Sequence, residues 1–267
     1  MAGNSGDLTG HTVLAIFAHP DDESLACGGT LARLSDAGAT VVLICASRGE
    51  KGSVSDPALV PDGNLARVRT NELRQAAEVL GIAEVIILDH PDGDLRWRNH
   101  HYLHIDIVRA IRRFRPEAII TFAEDGLYWH LDHIGVHERV YDAVMSLGQE
   151  APAVYYVTIP GGIMREVAET AIARGWAPLD PSFWGIAPDA FGAAALTPTL
   201  IVDVRDWVPR KLAALRCHRT QMGTANPFAR IDQADARRWL GVELFRRAPG
   251  SPAAPALECI GEPGVSS

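Results

Sequence analysis

The sequence predicts an α/β fold: a single Rossmann-like domain with a mostly parallel sheet and helices on both faces. Three observations carry this prediction. Short apolar runs alternate with segments of helical spacing, in a βαβα rhythm. The runs are continuously apolar, as strands covered on both faces are. The length, 267 residues, is long for one domain but ordinary for an α/β one.

The elements follow in order. Residues 12–18 (TVLAIFA) read as a first buried strand ending in a polar loop. Residues 23–37 place Leu25, Leu31 and Leu34 on one helical face and stop near Gly38. Residues 40–47 (TVVLICAS) are a second buried strand, and 48–63 are a long loop by their Gly, Pro and Ser content. A helix over 65–80 has Leu73, Ala76, Ala77 and Leu80 as its apolar face and Gly81 as its stop. Residues 84–89 (EVIILD) form a third strand, followed by the loop HPDGDL and a helix over 100–115. Residues 118–123 (AIITFA) form a fourth strand, whose loop EDGLYWHL runs into a helix over 132–147. A strand over 154–159 follows. Residues 160–197 hold Trp176, Phe183, Trp184 and Phe191 among prolines and glycines, and read as a cover or lid. A late strand spans 199–204 and a late helix 207–222. The domain runs over 1–248, and the Pro/Gly-rich tail 249–267 is expected to be disordered.

Composition narrows the function. The chain is 47% hydrophobic and 22% charged, with a formal net charge of -8. An acidic balance points away from nucleic acid and from anionic membranes, and otherwise serves solubility. Cys27, Cys45, Cys217 and Cys259 show no CxxC pairing, and the first two sit in apolar stretches. The N-terminus is polar and lacks a basic segment followed by an apolar one, and its first apolar run is too short to span a bilayer. A cytoplasmic protein with reduced thiols is expected. The sequence leaves the oligomeric state open, a homo-oligomer included.

In an open parallel sheet the chemistry sits in loops at the carboxyl ends of strands. The first strand ends in His19-Pro20-Asp21-Asp22-Glu23, and the fourth is followed by Tyr128-Trp129-His130-Leu131-Asp132-His133 and then His137. An HPDD alone would serve as a helix cap, and an HxxH alone as surface histidines. Meeting at one end of one sheet, they point to a metal. A divalent zinc ion takes imidazole and carboxylate ligands, and a catalytic site uses three protein ligands plus water. His19 and Asp22, three apart across a strand-to-helix turn, can point to one spot, and His133 can supply the third ligand. His137, one turn further on, is the alternative. Oxygen and nitrogen ligands without thiolate suit zinc and iron alike. Asp21 is placed to take a proton from water, and His130 to stabilise an oxyanion or protonate a leaving nitrogen, with Asp132 orienting that histidine.

AHPDDE after the first strand and HLDH in the later loop resemble the PIG-L/LmbE family of zinc-dependent N-deacetylases. The resemblance extends to Ser47-Arg48-Gly49-Glu50-Lys51-Gly52, to Arg69-Thr70-Asn71-Glu72-Leu73 with its following helix, to Asp92-Gly93-Asp94-Leu95, and to His218-Arg219-Thr220-Gln221. It covers roughly residues 12–222. It implies His19, Asp22 and His133 as metal ligands, Asp21 as general base, and His130 as acid or electrophile tuned by Asp132. It implies Tyr128 as a contact to substrate and oxyanion, and Arg48, Glu50 and Arg69 along the substrate side. The implied reaction is removal of an acyl group, an acetyl above all, from the nitrogen of a glucosamine-like sugar or its conjugate.

The family pattern is often YGHPDH, so here Trp129 stands for a glycine and Leu131 for a proline. The indole beside His130 offers a stacking surface to a sugar or another ring. Alternatives are an amidase on a thiol-sugar conjugate of the mycothiol type, and a non-catalytic metal- or ligand-binding member of the same fold. A dinucleotide-dependent oxidoreductase would need GxGxxG after the first strand, where HPDDE stands instead.

Overall fold

In a computed structural model, residues 6–97, 100–176, 183, 185–223 and 226–264 are described. The strands are β1 (Thr12–Phe17), β2 (Thr40–Cys45), β3 (Glu84–Ile87), β4 (Ala118–Phe122), β5 (Ala153–Thr158), β6 (Leu200–Asp203), β7 (Val242–Arg247) and β8 (Glu262–Pro263). The helices are α1 (Asp22–Asp36), α2 (Leu65–Leu80), α3 (His100–Phe114), the short α4 (Gly126–Trp129), α5 (Leu131–Leu147), α6 (Ile163–Ala173), α7 (Val208–Cys217), α8 (Gln233–Leu240) and the short α9 (Pro255–Glu258).

One sheet has the order β3-β2-β1-β4-β5-β7-β6-β8. Strands β3, β2, β1, β4 and β5 are parallel, and β7, β6 and β8 close the far edge in antiparallel pairings. The continuous apolar runs have their expected cause: Val13 to Phe17 and Ile119 to Phe122 are buried on both faces of the sheet. Strand order reverses where β1 meets β4, with Val13 opposite Ala118 and Ala15 opposite Ile120. The connections leaving these two strands diverge to opposite sides and open a crevice, the topological switch point. Both histidine–aspartate motifs follow these two strands.

Helix α2 spans the expected residues, ended by Gly81 in the left-handed conformation (φ 77°). Three expectations change. The tail is ordered as far as residue 264: α9 buries Ala256 and Leu257, and β8 pairs with the outer strand β6. Tyr155 Oη donates to Glu258 (2.6 Å), so a segment polar in composition is held by a few apolar anchors and one sheet edge. Residues 265–267 lie outside the described residues. The late helix stops at Cys217 rather than 222; residues 218–221 form a tight turn, closed by the Gln221 N–H on the His218 carbonyl (2.9 Å), and bond to α1, α2 and the 48–55 loop. The aromatic segment, read as a cover or lid, has part of its aromatic content in the interior. Phe183 and Phe191 are fully buried in a second apolar cluster with Phe228 and Trp239, while Trp184 lies outside the described residues. No helix among the described residues is long and apolar enough to cross a membrane.

Candidate metal centre and catalytic cavity

The two motif loops bring their histidines together. His133 in the first turn of α5 is fully buried, its ring stacked on Phe122 with centroids 3.9 Å apart. Its Nδ1 donates to the carbonyl of Gly126 (3.1 Å), which leaves the Nε2 lone pair free. Gly126 is needed there, since a Cβ at this position would press on that of His133 at 2.9 Å. His19 is held from its other nitrogen: Nε2 donates to Asp132 Oδ2 (3.1 Å) and faces Asp92 Oδ1 (3.2 Å). Its Nδ1 lone pair then points at His133 Nε2, 3.3 Å away. The Asp22 carboxylate completes the set, with Oδ1 at 3.1 Å from His133 Nε2 and Oδ2 at 3.6 Å from His19 Nδ1.

Two lone pairs and a carboxylate pointed at one another are mutually repulsive unless a cation lies among them. Two nitrogens and one carboxylate, each oriented from behind, match the ligand set of a catalytic divalent ion. Among the described residues, two groups of candidate ligands meet at His19, one with His130 and His133 and the other with Asp92 and Asp132. The hydrogen bonds separate them, since Nε2 serves the carboxylates and Nδ1 faces the histidines. His137 is elsewhere, its Nδ1 donating to the Phe122 carbonyl (3.0 Å) and its ring against Tyr156.

Electrostatics follow from this packing. Burial alone would depress the His19 ring, but Asp132, Asp22 and Asp92 overcome it and raise the ring well above its usual range, so that without an ion a proton on Nδ1 takes the place a metal cation would fill. Burial pushes Asp92 up, yet the hydrogen bond and charge of His19, with the Lys51 N–H and the Arg69 charge, together outweigh this and hold its carboxyl at about 2. Burial lifts Asp21 to about 6, against the pull of the Arg69 guanidinium. Burial, with repulsion from His133 and His19, lowers His130 to about 4, so its ring is neutral near pH 7. His130 Nδ1 accepts the Asp132 backbone N–H (3.3 Å), so the proton of the neutral ring sits on Nε2.

These groups line a cavity of about 310 Å³, whose wall holds His19, Asp21, Asp22, Arg69, Tyr128 and His130. Asp21 adopts φ 123°, far from the usual range of a residue with a Cβ. Leu127 (φ 68°) and Trp129 (φ 65°) flank Tyr128 in the other motif loop. Strain of this kind costs about 1–3 kcal/mol per residue and collects at functional sites.

Several expected roles move. Asp132 orients His19 rather than His130, because residues two apart at a helix start point to different sides. Its carboxylate also accepts the backbone N–H groups of Gly93 (2.6 Å) and Leu95 (3.0 Å). Arg69, which an exposed helix face would leave solvated, is buried, donating to Asp21 Oδ2 (3.1 Å) and to the carbonyls of Gly49 and Pro20. Gly49 and Gly52 lack a Cβ where its guanidinium passes. Arg48 and Glu50 stand one layer out and do not line the cavity. Arg48 pairs with Asp89 (2.5 Å), and Glu50 accepts the Asp92 N–H (2.9 Å). Trp129, between Tyr128 and His130 in the chain, is 58% exposed and does not line the cavity. Tyr128 packs edge-on to His133 and against Phe191. The cavity wall also includes Lys51, Asp92 and Gln221, for which the motifs gave no role. The recurring Asp92-Gly93 and Thr220-Gln221 segments were the available signal.

The family model described as GlcNAc-PI de-N-acetylase, PIG-L, matches residues 14–144. A 1D-myo-inositol 2-acetamido-2-deoxy-alpha-D-glucopyranoside deacetylase from Thermobispora bispora is 32% identical over 90% of this chain and 89% of its own. The protein of the same description from Kineococcus radiotolerans is 33% identical over 79% of this chain and 68% of its own. Among solved structures, the N,N'-diacetylchitobiose deacetylase from Pyrococcus horikoshii superposes with a TM-score of 0.60 at 25% identity, over 90% of this chain and 84% of that one. The 4-carboxy-2-hydroxymuconate hydratase from Pseudomonas putida (TM-score 0.62, 19% identity, 91% of this chain and 98% of that one) shares the fold alone. Similarity of this extent, sustained along most of both chains, makes the protein a member of the PIG-L family of GlcNAc-PI de-N-acetylases.

Proposed function

We propose that the protein is a zinc-dependent N-deacetylase that hydrolyses the N-acetyl group of a glucosamine-like sugar or its conjugate. The observation that carries this is the convergence of His19 Nδ1, His133 Nε2 and the Asp22 carboxylate beside a cavity lined by a separate carboxylate, Asp21. The curated relatives, named for an N-acetylglucosaminyl inositol, support the substrate class. His19, Asp22 and His133 would hold the ion, whose Lewis acidity polarises the acyl carbonyl and acidifies the attacking water.

The remaining chemistry belongs to the chain. Asp21 takes a proton from the attacking water as its oxygen bonds to the acyl carbon. The carbonyl electrons move onto oxygen, and the Nε2–H of neutral His130 donates to that oxyanion. The C–N bond then breaks and the proton held by Asp21 passes to the nitrogen, releasing the amine and the carboxylic acid. A carboxyl lifted to about 6 by burial suits both taking and giving that proton near neutrality. Tyr128 borders the substrate from the aromatic side, and Arg69 holds Asp21 ionised. The cavity is at the small end of ligand clefts, which suits one hexosamine with a short acyl group.

The test is amine release from N-acetylglucosamine, its inositol conjugate and an aryl N-acetylglucosaminide, with zinc-loaded and chelator-stripped protein. Zinc-dependent release is expected, with Asp21→Asn retaining metal but losing at least about a hundredfold in kcat. The acidic limb of kcat should lie at or below about 6, since Asp21 must be ionised to act and a cation beside it lowers its pKa. Near-normal turnover by Asp21→Asn would remove it from the base role. No release from any substrate, with metal bound, would count against the reading.

A further inference from the structure

The segment His218-Arg219-Thr220-Gln221 adjoins the cavity, with Gln221 in its wall, and the reaction as drawn uses none of its side chains. His218 follows α7 and is 1% exposed. Its Nε2 donates to Glu23 Oε1 at 2.8 Å. Its Nδ1 is buried without a partner, so the ring is tied to its surroundings through the Nε2 side alone. An apolar side chain would fill this site without an orphaned nitrogen, so packing does not account for a histidine here.

Glu23 carries the contact forward. It is fully buried, takes the Ser24 hydroxyl on Oε1 (2.5 Å), and accepts the Asp21 backbone N–H on Oε2 (3.1 Å). Asp21 is the residue at φ 123°, and as the N-cap of α1 its side chain makes no capping bond. A backbone in that region persists only where its surroundings over-determine it. Arg69 holds the Asp21 side chain and Glu23 its backbone N–H, while its carbonyl accepts the Ser24 and Leu25 N–H groups (both 3.2 Å). Thr220 meanwhile bonds Glu72 of α2 through both its N–H (2.8 Å) and its hydroxyl (2.6 Å), so the 218–221 segment is fastened independently of His218.

We infer that His218 is a positioning residue for the general base: it fixes Glu23, and Glu23 holds Asp21 in the strained conformation that presents its carboxylate to the cavity. This rests on the reading of Asp21 as the base. Loss of the Nε2 donor leaves the Glu23 carboxylate held by the Ser24 hydroxyl and the Asp21 N–H alone, and the Asp21 main chain relaxes away from the reactive geometry. The ligands His19, Asp22 and His133 keep their own supports.

The experiment compares His218→Leu, His218→Gln and Asp21→Asn in zinc-loaded protein, with the inositol conjugate as substrate. For His218→Leu, kcat is expected to fall between about tenfold and a hundredfold with KM and bound zinc unchanged. Hydrogen exchange at the Asp21 amide should quicken, a readout independent of turnover. His218→Gln, whose amide can still reach Glu23, should recover most of both. Wild-type kcat and exchange in His218→Leu would overturn the inference, as would a Gln variant no better than Leu. If Asp21→Asn itself turns over normally, the base reading fails, whatever His218 does. If Asp21→Asn is inactive and His218→Leu is normal, only the positioning role falls. Should His218→Leu not fold, His218→Asn, whose shorter amide stops short of Glu23, takes its place; if both unfold, the histidine is structural and the inference is overturned.

Discussion

Single residues at the site carry conformations that their side chains alone would not choose. Asp21, Leu127 and Trp129 all have positive φ, and all lie in the two motif loops. Trp129 is the most telling. The resemblance places a glycine here, and φ 65° is a conformation glycine adopts freely. A tryptophan that accepts this strain and stays 58% exposed gains nothing from core packing. Trp129→Gly should therefore leave stability within about 1 kcal/mol of the parent, strain relief offsetting the greater freedom of the unfolded chain. If the indole stacks on the acceptor, the same change should raise KM for an aryl glycoside several-fold more than for N-acetylglucosamine itself; equal effects on both would exclude the stacking role. The convergence of His19, Asp22 and His133 was legible in the sequence because metal chemistry restricts residue type and spacing. The partner of Asp132 was not, since a two-residue offset at a helix start does not say which way a carboxylate turns.

At the level of elements, the least legible strand is β7, and the reason is one buried charge. Glu243 interrupts its apolar pattern, yet it is 3% exposed and pairs with Lys211 of α7 at 2.6 Å. Its carboxylate also accepts the N–H groups of Gly29 and Thr30 (2.9 and 2.7 Å). Helix α1 is kinked at Cys27 (φ -151°), and Glu243 thereby caps the helical segment that restarts beyond the kink. Removing one partner strands the other charge. Lys211→Met should lower unfolding free energy by about 3–5 kcal/mol in urea titration, and Lys211→Met with Glu243→Gln should recover part of it. A loss under about 1 kcal/mol would mean that Glu243 is adequately held by the helix amides alone. The early end of α7 has a similar origin, because residues 218–221 find better partners in Glu23 and Glu72 than in another helical turn.

Across the whole molecule, the site exists because β1 and β4 are neighbours at the point where strand order reverses. Its residues come from loops more than a hundred residues apart in sequence, as the His19–Asp132 and His19–His133 contacts show. An ion bound there ties the folded state together and has no preformed site in the unfolded chain. Free zinc at a hundredfold excess over Kd should stabilise by about 2.7 kcal/mol, each kcal/mol raising Tm by roughly 2–4 °C. Thermal scans with zinc and with chelator test this: His133→Ala should abolish the shift and His137→Ala should keep it. An unchanged shift in His133→Ala would move the ion to another ligand set.

The sequence by itself determined the α/β class, the succession of strands and helices through α5 except the short α4, and the residue types that a metal and a base require. These follow from local rules, the continuity of apolar runs and the chemistry of ligands. Only the tertiary structure decided that Arg69 is buried against Asp21, that Asp132 serves His19, that Glu243 belongs in a strand, and that the tail after residue 249 closes the sheet edge. In each case a polar or charged side chain is satisfied by a partner distant along the chain. Spacing cannot reveal such a partner, because folding, not sequence proximity, brings the two groups within hydrogen-bond reach.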